Sequence, residues 1–263
     1  MKNLIIYPTF LCPFACQYCM FKNKLSLNEI LSLDILKDYL QNNNDIDSFV
    51  ISGGDPLNLP QSYLNELIAI LKSYNKPITL NAYPHQRNIP SNVNYDFSYD
   101  FLSKPRATEV WENLLSFESP FKITITLSPI MFKYHPNNLL QKLSLLPKLK
   151  EVEFIPYFKN ECNQFNITKN DSFKKMMKMI YDTKLNLPFK ITNKEILQKK
   201  YLKSYEPTLE LNLFPNGKTY NKVFENDILM FQESNIYKSL EYPDSIDMYS
   251  EDLIEWFKNN LQN

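Results

Sequence analysis

The chain has 263 residues, which is enough for one large domain or two small ones whose core needs no disulfide bonds. Its 29 Lys and Arg residues balance its 29 Asp and Glu residues, and this lack of a basic excess argues against nucleic acid as a partner. No apolar run approaches the roughly 20 residues of a membrane span, and no signal-peptide pattern opens the sequence, so we expect a cytoplasmic protein with no membrane partner.

Short apolar runs alternate with amphipathic segments through most of the chain. Runs rich in Ile, Val, Phe and Thr predict six strands, at residues 4–9, 48–52, 78–82, 122–128, 151–157 and 188–192. Helical spacing of apolar residues predicts helices at residues 27–40, 61–74, 107–115, 137–146, 171–183 and 250–261. The alternation implies parallel strands joined by helices, so the expected fold class is α/β, with a parallel sheet or barrel.

Two regions depart from this pattern. Residues 83–105 are polar and rich in proline, and they predict a long loop that either faces the substrate or is mobile. After residue 200, the sequence "LELNLFPNGKTYNKV" predicts two strands that flank a Pro-Asn-Gly turn. We therefore expect a small C-terminal α+β extension over residues 201–263.

Three of the four cysteines, Cys12, Cys16 and Cys19, lie in "CPFACQYC", directly after the first predicted strand. A structural zinc site would need a fourth ligand, and a thioredoxin-like pair would leave Cys12 unexplained. Buried, unreactive thiols are a third alternative. Three thiolates on one loop can instead hold three irons of a [4Fe-4S] cluster and leave the fourth iron open. An open coordination position is typical of a catalytic metal site, and it could take the amino and carboxylate groups of a small molecule.

Glycine is scarce, and two of the three glycines are adjacent. Average usage of about 7% would give roughly 18 glycines in a chain of this length. Gly53 and Gly54 stand together in "FVISGGDPL", at the end of the second predicted strand. Without a Cβ, they allow the backbone to approach a neighbouring group closely. A turn that simply terminates the strand is the alternative.

The cysteine motif, followed by the glycine motif, resembles the signature of the radical S-adenosylmethionine (SAM) superfamily. The resemblance implies that Cys12, Cys16 and Cys19 are the iron ligands. It also implies that Tyr18, the aromatic residue before the last ligand, packs near the adenine of SAM.

The glycine motif resembles the Gly-Gly-Glu-Pro type motif of that superfamily, with Asp in place of the commoner Glu. The resemblance implies that its backbone and carboxylate bind the SAM amino group, through residues Ser52, Gly53, Gly54 and Asp55. Two polar residues at the ends of later predicted strands, Asn81 and Ser128, are candidates for contacts with the ribose or carboxylate.

The resemblance covers residues 1–200 and implies a partial (β/α)6 TIM-like barrel with its site at the carboxyl ends of the strands. The hairpin at Gly217 resembles the segment that opens the SPASM and twitch extensions of peptide-modifying members. The cysteines that hold auxiliary clusters in those modules are missing from this sequence, which weakens the implication of a peptide substrate.

The resemblance implies an enzyme whose [4Fe-4S] cluster takes an electron from a donor such as flavodoxin or ferredoxin. SAM is then cleaved to methionine and a 5′-deoxyadenosyl radical, which abstracts hydrogen from a peptide or a small polar metabolite. Epimerisation, crosslinking or another C–H modification is the favoured outcome. The alternatives are an aminomutase-like enzyme with Lys218 as its pyridoxal phosphate lysine, a glycyl-radical activating enzyme, and a non-catalytic iron-sulfur regulatory protein.

Three further residues could serve the site. His85 and His135 are the only histidines, and Cys162 is the only cysteine outside the motif. For each of them we expect a structural role rather than a catalytic one.

Overall fold

The fold is that of a computed structural model of the chain. It describes residues 1–14, 16, 18–24, 28–85, 89–99, 107–127, 135–156, 158–162, 176, 178–180, 183–192, 208–226 and 228–240.

The described strands form one sheet with a long parallel part and an antiparallel hairpin at one edge. In chain order they are β1 Lys2–Ile6, β2 Ser48–Ile51, β3 Ile78–Ala82, β4 Asn94–Ser98, β5 Phe121–Leu127, β6 Leu149–Pro156, β7 Lys190–Thr192, β8 Leu209–Leu213, β9 Thr219–Glu225 and β10 Ile228–Glu233. Their order across the sheet is β10-β9-β8-β1-β2-β3-β4-β5-β6-β7. Every neighbouring pair from β8 to β7 is parallel, whereas β9 pairs antiparallel with both β8 and β10. The predicted α/β class, with a mostly parallel sheet, is confirmed.

Four helices of the described chain pack on one face of the sheet. They are α1 Leu33–Asn42, α2 Gln61–Lys72, α3 Ala107–Ser116 and α4 Pro136–Leu143. Helix α1 begins later than predicted because the chain before it is extended, with Ile30 bridged to Thr9. Met176 and residues 178–180 are helical, within the helix predicted at 171–183. The helix predicted at 250–261 lies outside the described residues.

The two faces of the sheet differ in character because side chains alternate along each strand. On the helix face, Phe97, Ile123 and Phe154 are fully buried and pack against leucines of α3 and α4. The opposite face, here called the polar face, carries partly buried polar side chains such as Asn81 and Thr126. The larger part of the apolar core therefore lies between the sheet and the helices. A smaller aromatic cluster around Tyr7 and Phe214 packs with Ile5 on the polar face at β1, and the part of that face at β3 to β5 is left for a ligand.

The loop predicted at residues 83–105 is wrong in its middle, because Asn94–Ser98 is strand β4. The strand pairs with β3 and with β5, so it is central in the sheet. Its sequence "NYDFS" places Tyr95 and Phe97 inward between polar residues, which is the period of two that a half-buried strand requires. The proline-rich flanks hid this short alternation, and seven strands rather than six precede residue 200 in the described chain.

The C-terminal hairpin extends the same sheet. The predicted strands around Gly217 are β8 and β9, and a further strand, β10, follows them. Strand β8 pairs in parallel with β1, from Lys2 with Leu209 to Ile6 with Leu213. The division of the chain at residue 200 stays a prediction. Within the described part of the chain, no helix combines the length and apolar character that crossing a bilayer requires.

Replacing Phe97 tests the unpredicted strand. Because the ring is fully buried in the core, we expect Phe97→Ala to lower the free energy of unfolding by about 3–5 kcal/mol. Asn94→Ala, on the exposed end of the same strand, is the matched control and should change it by less than about 0.5 kcal/mol. Urea denaturation measures both, and a loss below about 1 kcal/mol for Phe97→Ala would contradict a central position for β4.

Candidate active site

A cavity of about 280 Å³ lies at the carboxyl ends of the parallel strands. Each of the strands β2 to β6 contributes one residue at its carboxyl end or directly after it. These residues are Ser52, Asn81, Ser98, Thr126 and Ile155. In sheets of this kind the carboxyl ends of the strands are the usual place for a ligand. The same cavity is lined by eight of the residues predicted from the sequence: Cys12, Cys16, Tyr18, Cys19, Ser52, Gly53, Gly54 and Asn81.

The three cysteines lie on a loop after β1, here called the cysteine loop (residues 11–21). Cys16 is buried, with 6% of its surface exposed, while Cys12 and Cys19 are half-buried. The backbone N–H of Cys19 donates to the carbonyl of Cys16 at 3.2 Å, which keeps these two residues in one tight turn. The N–H of Phe21 donates to Sγ of Cys19 at 3.4 Å, which helps to fix the position of this sulfur.

Gly53 and Gly54 are required by their contact with the chain that leads into the cysteine loop. The N–H of Gly54 donates to the carbonyl of Thr9 at 2.9 Å, and the N–H of Asp55 donates to the carbonyl of Leu11 at 3.0 Å. A Cβ at Gly53 would lie 2.6 Å from the carbonyl oxygen of Thr9, and one at Gly54 would lie 2.3 Å from that of Phe10. Gly53 also has a φ of +128°, where other residues are strained.

This backbone contact explains why glycine is needed at positions 53 and 54, which could not be read from the sequence. The sequence suggested that a bound group approaches them, whereas the structure places the backbone of residues 9–11 against them. Residues 52–55, here called the glycine segment, therefore fix the start of the cysteine loop and also form part of the cavity wall. The two motifs act as one unit.

The number of thiols on the cavity lining fits a cluster with three protein ligands. Among the described residues, no three Cys, His, Asp or Glu side chains converge closely enough to hold one metal ion. A [4Fe-4S] cluster takes one thiolate on each of three irons, so its sulfurs surround an inorganic core instead of meeting at one atom. Cys12, Cys16 and Cys19 line one cavity, so they are the residues that would hold such a cluster.

Asp55 differs from the other residues of its motif because its side chain does not line the cavity. It is completely buried, contacts the imidazole of His85, and accepts from the N–H of Leu57 at 3.3 Å. The predicted contact of its carboxylate with the SAM amino group stays a prediction. Ser128 lies outside the described residues, and β5 ends one residue before it, at Leu127.

Sequence reasoning missed cavity residues on β4 and β5. Ser98 was missed because its strand was predicted as loop, and its Oγ donates to Oδ1 of Asn81 at 3.3 Å. Thr126 lies two residues before the predicted Ser128, so the alternation along "KITITL" could have identified it. Both hydroxyls extend the row of small polar groups that Asn81 begins.

Asn160 was also missed, and it connects three parts of the site. The residue is buried, and its Nδ2 donates to the carbonyl of Tyr18 at 3.2 Å. It forms a β-bridge with Leu229 of β10, and the N–H of Leu229 donates to Lys159 at 2.8 Å. The segment after β6 therefore connects the cysteine loop to the C-terminal hairpin. This contact joins residues that are distant in sequence, so no local sequence pattern predicts it.

The described residues that line the cavity carry no Asp, Glu, Lys or Arg. Charged side chains of the polar face lie farther from the carboxyl ends of the strands, where they form ion pairs. Nζ of Lys122 is 3.2 Å from Asp96 and also contacts Glu153. Burial alone would lower the pKa of Lys122, but the two carboxylates raise it above its ordinary value. Burial raises the pKa of Glu153, against the opposing effect of Lys122. The described part of the cavity lining therefore presents thiols and uncharged polar or apolar side chains.

The remaining candidates take structural positions. His135 precedes α4, where its Nδ1 accepts from the N–H of Asn137 at 3.3 Å. Cys162 is half-buried, and its Sγ donates to the carbonyl of Met20 at 3.5 Å, so it packs beside the cysteine loop.

Comparison with solved structures identifies proteins that share the fold of this chain. No protein-family model and no curated protein matches the sequence. Among solved structures, Streptococcus suis SuiB bound to precursor peptide SuiA is similar, with 13% identity, a TM-score of 0.60, and coverage of 82% of this chain and 58% of SuiB. Native anSMEcpe with bound AdoMet and Cp18Cys peptide has 16% identity, a TM-score of 0.65, and coverage of 83% and 73%. The chain has the radical SAM fold.

The radical SAM fold is the one that the two sequence motifs imply. SuiB has also been solved bound to S-adenosylmethionine, at 12% identity and a TM-score of 0.59. At these identities the likeness is one of fold, and the chain spans 58% of the length of SuiB in the peptide-bound structure.

Adding a methyl group at Gly54 tests the contact between the two motifs. The nearest atoms are backbone and cannot move aside, so we expect Gly54→Ala to lower the free energy of unfolding by about 3 kcal/mol or to prevent folding. Gly217→Ala is the control, because there a Cβ would meet only the side chain of Ile35, at 3.1 Å. Its positive φ should cost about 1–2 kcal/mol, and equal losses for the two variants in thermal unfolding would contradict the close contact.

Proposed function

We propose that the chain is a radical SAM enzyme that holds a [4Fe-4S] cluster through Cys12, Cys16 and Cys19 and modifies a peptide. The observation that carries this proposal is that the three thiols and the glycine segment line one cavity at the carboxyl ends of the parallel strands. The fold supports it, because SuiB and anSMEcpe share that fold and both have been solved with SAM.

A cluster held by Cys12, Cys16 and Cys19 would supply, with SAM bound, the electron for reductive cleavage of SAM to methionine and a 5′-deoxyadenosyl radical. The protein's contribution is to hold and orient. The glycine segment brings backbone atoms to the cavity wall, and carbonyl oxygens are the acceptors that the SAM ammonium group needs. An electron donor such as flavodoxin or ferredoxin is part of this proposal.

Aromatic side chains protect the site from water. Phe14 and Tyr83 pack with ring centroids 4.5 Å apart, and Phe14 has 2% of its surface exposed. The hydroxyl groups of Tyr18 and Tyr83 lie 3.3 Å apart, which fixes the ring proposed to face the adenine. A reactive radical would require such shielding, because reductants and organic molecules that entered the site would otherwise donate hydrogen to it.

Three apolar residues from β6, the segment after it and β10 form a further part of the lining, which suits a substrate. Ile155 and Phe158 come from β6 and the segment after it, and Leu229 comes from β10. A peptide is the favoured substrate class because SuiB and anSMEcpe, which share the fold, have been solved with bound peptides. A small polar metabolite is the second class, which the row of Asn81, Ser98 and Thr126 could hydrogen-bond. Epimerisation, crosslinking or another C–H modification is the proposed type of outcome.

The aminomutase alternative loses support from the position of Lys218. This lysine lies in the turn between β8 and β9, outside the cavity lining, and its Nζ is 2.9 Å from Glu233. The hydrogen bond to Glu233 raises the pKa of Lys218, whereas a Schiff base with pyridoxal phosphate forms from the neutral amine. No described feature favours the glycyl-radical activating enzyme over peptide modification.

Anaerobic reconstitution with iron and sulfide tests the proposal. After addition of dithionite and SAM, we expect the wild-type chain to release 5′-deoxyadenosine, measured by mass spectrometry. Cys16→Ala should lose both the visible absorption of the cluster and the product, because one of three ligands is gone.

Cys162→Ala is the matched control for that experiment. It removes a thiol that packs beside the cysteine loop without lining the cavity, so cluster absorption and product should remain. A wild-type chain that forms the cluster but no 5′-deoxyadenosine would support the non-catalytic regulatory alternative. An unchanged cluster in Cys16→Ala would overturn the ligand assignment.

A further inference from the structure

The loop that follows β3 touches both motifs of the site. It comprises Tyr83, Pro84 and His85, and it is here called the β3 loop. The ring of Tyr83 packs against Phe14 of the cysteine loop at 4.5 Å between centroids. The imidazole of His85 meets the same Phe14 ring edge-on, at 5.6 Å and 72°. The β3 loop therefore holds the cysteine loop at a residue between the first two cysteines.

On its other side the β3 loop holds the glycine segment. Nε2 of His85 is in hydrogen-bonding contact with Oδ2 of Asp55. The side chains are 4% and 0% exposed, so water does not compete for this contact. When Asp55 is ionised, its carboxylate can only accept, and Nε2 of His85 is then the donor. Oδ1 of Asp55 accepts from Leu57, which leaves the carboxylate engaged on both oxygens.

The β3 loop is itself fixed by the helix layer. Nδ2 of Asn113, a buried residue of α3, donates to the carbonyl of Pro84 at 2.7 Å. The N–H of His85 donates to the carbonyl of Tyr83 at 2.7 Å, which makes the loop a tight turn. The imidazole is thus presented from a rigid base.

We propose that His85 is a positioning residue of the cofactor site, which locks the glycine segment through Asp55 and the cysteine loop through Phe14. In this arrangement the carboxylate of the Gly-Gly-Asp motif serves the protein scaffold, and the backbone of the motif is left to face the ligand. The role follows from contacts of the chain itself, so it does not depend on the proposed reaction. Its effect on SAM binding does rest on the proposed function.

Loss of the imidazole has a local consequence. A buried carboxylate without its donor is strongly unfavourable, so Asp55 would move toward water and draw the glycine segment with it. Phe14 would lose its edge contact at the same time. Cys16 is buried among these groups in the intact chain, so its thiol should become accessible.

Alkylation of the cluster-free full chain measures this accessibility. Iodoacetamide labelling under native conditions, followed by peptide mass spectrometry, gives separate rates for Cys16 and Cys162. We expect His85→Phe, which keeps an aromatic ring but no donor, to raise the ratio of the Cys16 rate to the Cys162 rate about tenfold. His85→Gln, whose amide can donate to Asp55, should restore the ratio to within threefold of wild type.

The chain offers its own control in His135→Phe. His135 is the only other histidine and caps an exposed helix end, so its replacement lowers stability without touching the β3 loop. Its rate ratio should stay within threefold of wild type. A ratio below threefold in His85→Phe, an equal rise at Cys162, or no restoration by His85→Gln would overturn the proposal. If His85→Phe does not fold, Asp55→Ala, which removes the acceptor of the same hydrogen bond, replaces it with the same threefold criterion.

A second measurement separates this inference from the proposed function. With the cluster reconstituted, we expect His85→Phe to bind SAM at least fivefold more weakly than wild type in equilibrium dialysis, with His85→Gln between them. If the wild-type chain binds no SAM, the proposed function fails, while the thiol ratios still decide the role of His85. If wild type binds SAM and His85→Phe binds it equally well, the positioning role is contradicted.

Discussion

The site depends on one backbone contact, in which the glycine segment lies directly against residues 9–11. Two backbone hydrogen bonds hold it there, from the N–H of Gly54 to the carbonyl of Thr9 and from the N–H of Asp55 to the carbonyl of Leu11, and Ser52 donates in the same way to Ile6 at the end of β1. Any side chain at position 54 would overlap the carbonyl of Phe10, so the contact exists only because a glycine stands there. It joins the ends of β1 and β2, fixes where the cysteine loop begins, and thereby determines where three thiols can meet a ligand.

This contact also explains how much of the site the sequence could predict. The cysteines and the paired glycines were identifiable because each motif is local, and the structure brings them to one cavity. The reason for the glycines was not identifiable, because their neighbour is distant in sequence. Strand β4 was missed because a short alternation between prolines resembles a loop, although Phe97 is fully buried. Asn160 contacts the hairpin although β6 and β10 lie near opposite ends of the strand order, so no local pattern and no neighbouring strand pair predicts this contact.

The charged side chains of the polar face and the lining of the cavity are separate groups of residues. Charged groups on the polar face are paired with one another, as Lys122 is with Asp96 and Glu153. The described lining of the cavity is left with thiols, amides, hydroxyls and aromatic rings. Such a lining can bind a charged ligand through backbone dipoles. It can also hold a metal centre although no charged side chain lies beside that centre. The C-terminal hairpin closes one side through Leu229, so the region beyond the parallel strands contributes to the same site.

The central claim is that three thiols hold a cluster whose fourth iron is open to SAM. Electron paramagnetic resonance of the reconstituted, dithionite-reduced chain tests it most directly, with spectra recorded before and after addition of SAM. An iron that SAM can reach changes its electronic environment on binding, so the account predicts a clear shift of the g-values of the reduced cluster. A spectrum that SAM leaves unchanged, from a chain shown to carry four irons, would contradict it.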